Sequence, residues 1–218
     1  MLIKNRVFRV LKPMVVLVLM IMLIPTKFVN AANLGTLSVW KADVDTIRRW
    51  GATVSTIPTA VYVNKLNSNA SFYFASAIDL GLSKRNSALG TNIKSYGYTN
   101  SNVPIVYYGG TVAQLNALGI FNVNSDGYNK VTASYEGTWT YSLYTKTGEK
   151  ITKIQAYIID GGYNSDLYVN IATHELGHTI GWSGHSPIMS DVMYKTANGS
   201  NLALTSNDKS HIKQVYGK

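Results

Sequence analysis

The chain has 218 residues, of which 20 are basic and 11 acidic, so its formal net charge is +9 at pH 7. It contains no cysteine, which excludes disulfides, lipid attachment through cysteine, and inhibition of a metal site by a cysteine thiolate. The basic residues form no stripe with interleaved aromatic side chains, and nucleic acid is therefore not an expected partner.

The first 31 residues have the pattern of a secretory signal peptide. A basic run over residues 4–12 contains no acids and is followed by an apolar run over residues 14–24, and Ala31 is a small residue of the kind that a signal peptidase reads. We predict export with cleavage after Ala31, which leaves no stable membrane association. An uncleaved membrane anchor is the alternative, although the apolar run is shorter than the about 20 residues that span a bilayer.

The mature chain, residues 32–218, has a length that fits one compact domain, and we expect a monomer. Residues 32–50 can form a short N-terminal extension. Five of the twenty basic residues and none of the acids precede position 32, so the mature net charge is +4. This modest charge is ordinary for a soluble protein and does not identify a partner.

Alternating and helical patterns predict the elements of the first half of this domain. Residues 59–63 read as a strand, and apolar residues at helical spacing from Ala70 to Leu82, behind a cap region at residues 67–69, predict an amphipathic helix. Strands are expected near residues 93–98 and 104–108, and a short helix over residues 111–117.

In the second half, residues 135–145 and 150–160 predict a hairpin that turns at residues 146–149, with Ile154, Ala156 and Ile158 pointing inward. The next helix is capped by the polar residues 164–166, and its predicted apolar face consists of Leu167, Ile171, Ala172, Leu176 and Ile180. Thr205 and Asp208 form a capping-box pattern that begins a last helix.

A cluster of histidines lies in the predicted helix after residue 164 and just beyond it. His174 and His178 are four residues apart, so both imidazoles can face one metal ion from the same side of a helix. Glu175 projects beside that face, which suits a base acting on metal-bound water and not a third ligand. Gly181 can end the helix and return the chain, so that His185 completes three ligands and leaves one position open.

The run from His174 to His185, with Ser186 and Met193-Tyr194 after it, resembles the metzincin metallopeptidases and is most similar to secreted bacterial matrixins. The likeness covers roughly residues 150–218. It implies an α+β, zincin-type catalytic domain: a mixed twisted sheet with two long helices and a small C-terminal subdomain that ends in a helix. It further implies one catalytic Zn²⁺, a Met-turn at Met193 beneath the ligands, and an edge strand at residues 154–160 that holds the substrate.

The sequence departs from the matrixin pattern in two places near the site. Three residues, instead of two, separate Gly181 from His185, and Gly184 can let the extra residue bulge outward. Lys195 stands where matrixins often have a proline after the Met-turn, so the pocket preference does not carry over. His211, the remaining histidine, is expected at the surface or partly packed in the last helix.

Accessory metals of animal matrixins have no counterpart in this sequence. The further histidines of a structural zinc site and a dense aspartate cluster are both missing. Asp126, Asp160 and Asp166 could contribute to a Ca²⁺ site, but lone acids in turns are usually turn residues, and calcium remains unsupported.

The predicted function is hydrolysis of internal peptide bonds in protein or peptide substrates by a secreted zinc endopeptidase. His174, His178 and His185 are the metal ligands, and Glu175 is the general base. Three alternatives remain open at this point: histidines that bind no metal, a secreted zinc-binding protein without catalysis, and a zinc amidase that acts on peptide crosslinks of the cell wall.

Overall fold

The computed structural model describes residues 46–69, 73–97, 103–119, 127–141, 144–197, 199 and 203–216, and describes only the backbone of Tyr128, 135–141 and 144–146. The predicted signal segment, residues 1–31, and Asp126 lie outside the described residues. Within the described part of the chain, no helix combines the length and the apolar character needed to cross a membrane.

The described strands form one mixed sheet around a long central strand. These strands are β1 (Thr46–Arg49), β2 (Ala60–Lys65), β3 (Lys94–Gly97), β4 (Ile105–Gly110), β5 (Gly127–Tyr141) and β6 (Tyr144–Ile159). The central strand, β6, pairs in antiparallel fashion with β5 along one side, whereas β1 and then β4 pair with it in parallel along the other side. Strands β2 and β3 continue the parallel part beyond β4.

Strand β1 was not predicted from the sequence. It lies inside the stretch that could have formed an N-terminal extension, and it pairs with β6 from Thr46↔Thr147 to Arg49↔Lys150. Its four residues alternate between half-buried and buried side chains, a run too short to stand out by periodicity.

The predicted hairpin exists, but its predicted turn and bounds are wrong. Strands β5 and β6 pair continuously up to Tyr141↔Tyr144, so the connection falls at residues 142–143. Residues 146–149, including Gly148, lie inside β6. Gly148 pairs with Gly137 across the ladder next to a register shift, so the glycine marks an irregularity within the sheet and not its end.

The strand expected at the substrate-binding edge is an interior strand. Residues 154–158 of β6 pair with β4 on one side and with β5 on the other, which leaves them no open edge. Among the described strands, β5 pairs with β6 alone and is the antiparallel edge strand. The expected edge position came from the resemblance to matrixins, whereas the apolar run at 154–159 by itself is typical of a strand buried in the interior of a sheet.

Four α-helices complete the described fold. Helix α1 begins later than its pattern predicted, because its N-cap is Tyr73 and not a residue of the 67–69 region, and it ends at Gly90 with φ of 69°. Helices α2 and α4 each begin with a complete capping box, at Thr111 and at Thr205. The helices are α1 (Phe74–Leu89), α2 (Val112–Asn116), α3 (Ser165–Thr179) and α4 (Ser206–Val215).

The core lies between the sheet and the two long helices α1 and α3. The helices approach closely at Gly81, where an added Cβ would lie 2.6 Å from Leu176 Cδ1. Ile154, Ala156 and Ile158 of β6 point into this core as predicted, while Tyr157 and Ile159 are buried on the opposite face. The predicted mixed sheet with two long helices is therefore confirmed.

Candidate active site

Helix α3 carries two of the three histidines of the site. It begins where the sequence predicted, because the Asn164 side chain accepts a hydrogen bond of 2.9 Å from the backbone N–H of Leu167. Asp166 lies in the first turn, next to the positive end of the helix dipole. One turn separates His174 from His178, and their imidazole centroids are 4.8 Å apart.

Backbone carbonyls fix the orientation of both rings. His174 Nδ1 lies 2.8 Å from the Val192 carbonyl oxygen, and His178 Nδ1 lies 3.1 Å from that of Trp182. A neutral imidazole donates there through Nδ1–H, which leaves the Nε2 lone pair for a metal. The two Nε2 atoms are 3.1 Å apart. Tetrahedral zinc with bonds of about 2.05 Å needs about 3.3 Å between ligand nitrogens, so the pair fits this ion.

His185 reaches the same place from the loop after α3. Gly181 and Gly184 have φ of 116° and 71°, a backbone region that favours glycine, and together they turn the chain back and take up the additional residue. The His185 ring lies 5.3 Å from that of His174 and 5.2 Å from that of His178. Ligand atoms of the three histidines all lie within 4.8 Å of one another.

Burial keeps the two histidines of helix α3 neutral. It is the main reason why the pKa of His174 falls to about 4 and why that of His178 falls well below its usual value. The neighbouring imidazoles lower both values further. Neutral imidazole is the form that binds a metal, so these rings need not lose a proton at neutral pH.

These pKa values predict an acid-sensitive metal-free protein. In the native state, His174, His178 and His211 stay neutral between about pH 6.5 and pH 4, whereas the same residues take up protons in the unfolded chain. The free energy of unfolding therefore falls as pH falls through this range. Glu175 acts in the opposite direction, because between about pH 4.5 and 8 its carboxyl group is protonated in the native state and ionised in the unfolded chain. One carboxyl group does not offset three histidines, so the net effect of acid is a loss of stability. Urea unfolding after chelation should show lower stability at pH 5 than at pH 7; equal stability would contradict the account.

Glu175 lies beside the ligands and opposite strand β5. Burial raises the pKa of its carboxyl group to about 8, and a hydrogen bond from the Asn129 side-chain amide acts in the other direction. Gly127 makes room for it, since a Cβ at that position would lie 2.4 Å from Glu175 Oε1. The structure thus places the predicted base at the edge strand, next to the histidine cluster.

The segment around Met193 passes beneath the two helical ligands. Met193 is fully buried and packs against Gly177, which stands between His174 and His178 in the sequence. A Cβ added at Gly177 would lie only 2.3 Å from Met193 Sδ, so this close approach requires a glycine. The Asp208 carboxylate of α4 accepts hydrogen bonds from the backbone N–H groups of Val192 (3.0 Å) and Met193 (3.2 Å). The position expected for the Met-turn is therefore fixed by the last helix.

Arg85 of α1 is a supporting residue that sequence reasoning missed. Its side chain is fully buried and donates two hydrogen bonds to the Thr173 carbonyl oxygen, from Nε (3.1 Å) and from Nη2 (2.8 Å). The distance from Nη2 to Met193 Sδ is 2.9 Å. Burial lowers its pKa to about 10, while Asp208 raises it. Its position among helical apolar residues gave no signal, because arginines in such patterns usually lie at the surface.

Replacing this arginine should cost substantial stability. Arg85→Ala removes a large buried side chain and its hydrogen bonds to Thr173, and takes away a positive charge that interacts favourably with Asp208. We expect a loss of about 4 kcal/mol in the free energy of unfolding. The matched change Ser87→Ala, on the exposed side of α1, should stay within about 0.5 kcal/mol. Urea unfolding of both variants checks this, and equal values would be inconsistent with a structural role for Arg85.

His211 is buried, contrary to the expectation of a surface or partly packed position. Its ring stacks on Trp182 with centroids 3.7 Å apart. Asp208, His211, Ile212 and Val215 form the buried face of α4 at helical spacing, a signal that the sequence did contain. Because the Trp182 carbonyl also contacts His178, His211 packs behind the ligand loop and is not part of the histidine cluster.

Two of the acids considered for calcium lie among the described residues. The Asp160 carboxylate accepts hydrogen bonds from the Asn67 amide, the Tyr168 hydroxyl and the Gly162 N–H, so it ties β6 to two neighbouring segments. Asp166 is a first-turn residue of α3.

An open cleft of about 560 Å³ contains the three histidines and Glu175. Strand β5 lines one side through Gly127, Asn129 and Val131, and the segment after the Met-turn lines another through residues 195–197. A peptide in this cleft would therefore have the histidines and the edge strand within reach.

Comparison with known proteins identifies the family. The matrixin family model, Peptidase_M10, matches residues 108–217, a stretch that begins in β4 and includes the whole histidine cluster. A shorter segment of 65 residues is 42% identical to matrilysin of Rattus norvegicus, covering 28% of this chain and 24% of that protein. The chain thus spans about a quarter of the length of this curated relative. By the extent of the family match, the chain belongs to the matrixin family of zinc metallopeptidases.

Proposed function

We propose that this protein is a secreted zinc endopeptidase that cleaves protein or peptide substrates. The observation that carries the proposal is the convergence of three histidine ligand atoms within 4.8 Å, beside Glu175 and in an open cleft. Family membership supports the same activity.

His174, His178 and His185 are the residues that would hold the ion. Their ligand atoms are nitrogens, the set that zinc accepts in catalytic sites with three protein ligands. When bound, zinc supplies a Lewis acid and a positive charge, which lower the pKa of water, polarise a carbonyl group and favour the carboxylate form of Glu175.

Glu175 is proposed to perform both proton transfers. Its carboxylate takes a proton from the attacking water, while the water oxygen forms a bond to the scissile carbonyl carbon. The protonated carboxyl group then passes this proton to the nitrogen as the C–N bond breaks, which yields a new carboxyl group and an amine. The position of Glu175 suits this role, because its carboxylate lines the cleft beside the three histidines, where the water and the scissile bond would meet.

Strand β5, and not residues 154–160, is proposed to hold the substrate. It is an edge strand of the described sheet, and three of its residues line the cleft. An extended peptide can add to such an edge through main-chain hydrogen bonds, which place little demand on side-chain sequence. Selectivity is then left to the pocket around the metal ligands.

Export is proposed from residues 1–31 alone. The basic run, the apolar run and Ala31 form the pattern of a cleaved signal. Mass spectrometry of the culture medium should find a mature N-terminus at Ala32.

The experiment that tests the activity is cleavage of a proteome-derived peptide pool by the purified protein in zinc buffer, with mass-spectrometric mapping of the broken bonds. We expect internal peptide bonds to be cleaved in many peptides, and cleavage to stop after chelation. Zinc binding without any cleavage would instead favour a non-catalytic zinc protein. Cleavage confined to cell-wall crosslink peptides would favour the amidase.

A further inference from the structure

Asn129 brings the edge strand into contact with the proposed base. Its side-chain Nδ2 donates a hydrogen bond to Glu175 Oε2 and lies 3.4 Å from the Glu175 backbone carbonyl oxygen. The two residues are 46 positions apart in the chain. This contact therefore depends on the tertiary fold and joins β5 directly to α3.

The alternation of β5 places this side chain in the cleft. Gly127, Asn129 and Val131 all line it, as expected for residues two apart on one face of a strand. Gly127 and Asn129 then act on different oxygens of the same carboxylate. The missing Cβ at Gly127 leaves space for Glu175 Oε1, whereas Asn129 bonds Oε2.

We propose that Asn129 is a positioning residue for catalysis, which holds Oε2 of Glu175 and thereby presents Oε1 for the proton transfers. This inference rests on the proposed peptidase function. A carboxylate that rotates about its terminal torsion offers either oxygen in a range of directions, because that torsion is broad and roughly two-fold. A fixed donor on one oxygen removes this freedom before substrate binds, which is the advantage of a prearranged site.

The position of Asn129 adds a link between substrate and base. The strand proposed to bind the substrate backbone also carries the amide that orients Glu175, so the peptide and the carboxylate are located by one element. A residue that acts in this way should affect turnover much more than substrate binding.

The first test compares Asn129→Ala with Asn92→Ala, an exposed asparagine that lies before β3 and outside the cleft. We expect Asn129→Ala to lower kcat by about ten- to a hundredfold, with KM within about twofold of the parent and zinc content unchanged. Asn92→Ala should match the parent. Asn129→Leu fills a similar volume without a donor and should show the same loss, which separates the hydrogen bond from packing. A kcat within about twofold of the parent in both Asn129 variants would overturn the proposal.

A double-mutant cycle tests whether Asn129 acts through Glu175. Glu175→Asp moves the carboxylate away from the Asn129 amide, so adding Asn129→Ala to this variant should cost less than about threefold more. The same large loss in both backgrounds would show that Asn129 acts independently of the base and would refute the positioning role. Parent protein that cleaves no peptide with zinc bound would refute the peptidase function, and this inference with it. Active parent with unaffected Asn129 variants would refute the inference alone.

Discussion

Glu175→Gln should retain zinc and lose nearly all turnover. Glutamine has almost the same shape as glutamate but cannot accept a proton from water at neutral pH, and Glu175 is not among the three residues that converge as ligands. We expect kcat to fall by about 10³-fold or more, since general-base catalysis is lost throughout the reaction. Peptide cleavage rates and the zinc content of the purified variant are the two measurements.

A matched change shows whether the effect belongs to this carboxylate. Asp79→Asn removes an exposed carboxylate from α1 and should leave both rate and zinc content as in the parent. If Glu175→Gln cleaved peptides at the parent rate, the proton-transfer role would be wrong. If it lost zinc as well as activity, Glu175 would have to contribute to metal binding.

His185→Ala should release the metal. It removes the ligand that comes from the loop and leaves two Nε2 atoms on α3, which are too few for a site with three protein ligands. We expect zinc affinity to fall by at least about a hundredfold, because even the loss of an outer hydrogen-bond partner of a ligand can cost this much. Competition with a chromophoric chelator measures the affinity directly.

The zinc affinity of His185→Ala also tests whether His185 binds the metal despite the additional residue before it. Ser190→Ala changes an exposed residue of the following segment and should bind zinc like the parent. Unchanged affinity in His185→Ala would mean that another group completes the site, and the convergence seen around Gly184 would have no role in metal binding.

Local patterns were enough to predict the helical half of the site. The spacing of His174, Glu175 and His178 within a capped amphipathic helix determines which side chains share a face, and the structure has them there. The glycine positions before His185 also predicted the return of the chain, and both glycines have positive φ. Such features depend on residues at most a few turns apart.

Contacts between distant segments could not be predicted in this way. Arg85 and Asn129 belong to two different elements, and each acquires its contacts only when sheet and helices pack together. The first half of β5, residues 127–134, was missed for a similar reason, since these residues are mostly small or polar and form a strand only by pairing with β6. Sequence patterns report burial, whereas the order of strands in a sheet is a property of the assembled fold.

The account as a whole rests on one bound ion, and metal analysis of the purified mature protein tests it most directly. After exhaustive dialysis in zinc-containing buffer and removal of free metal, we predict one zinc per chain, lost together with peptide cleavage on chelation and recovered with it on adding zinc. Well-folded protein that retains no stoichiometric zinc would contradict the account.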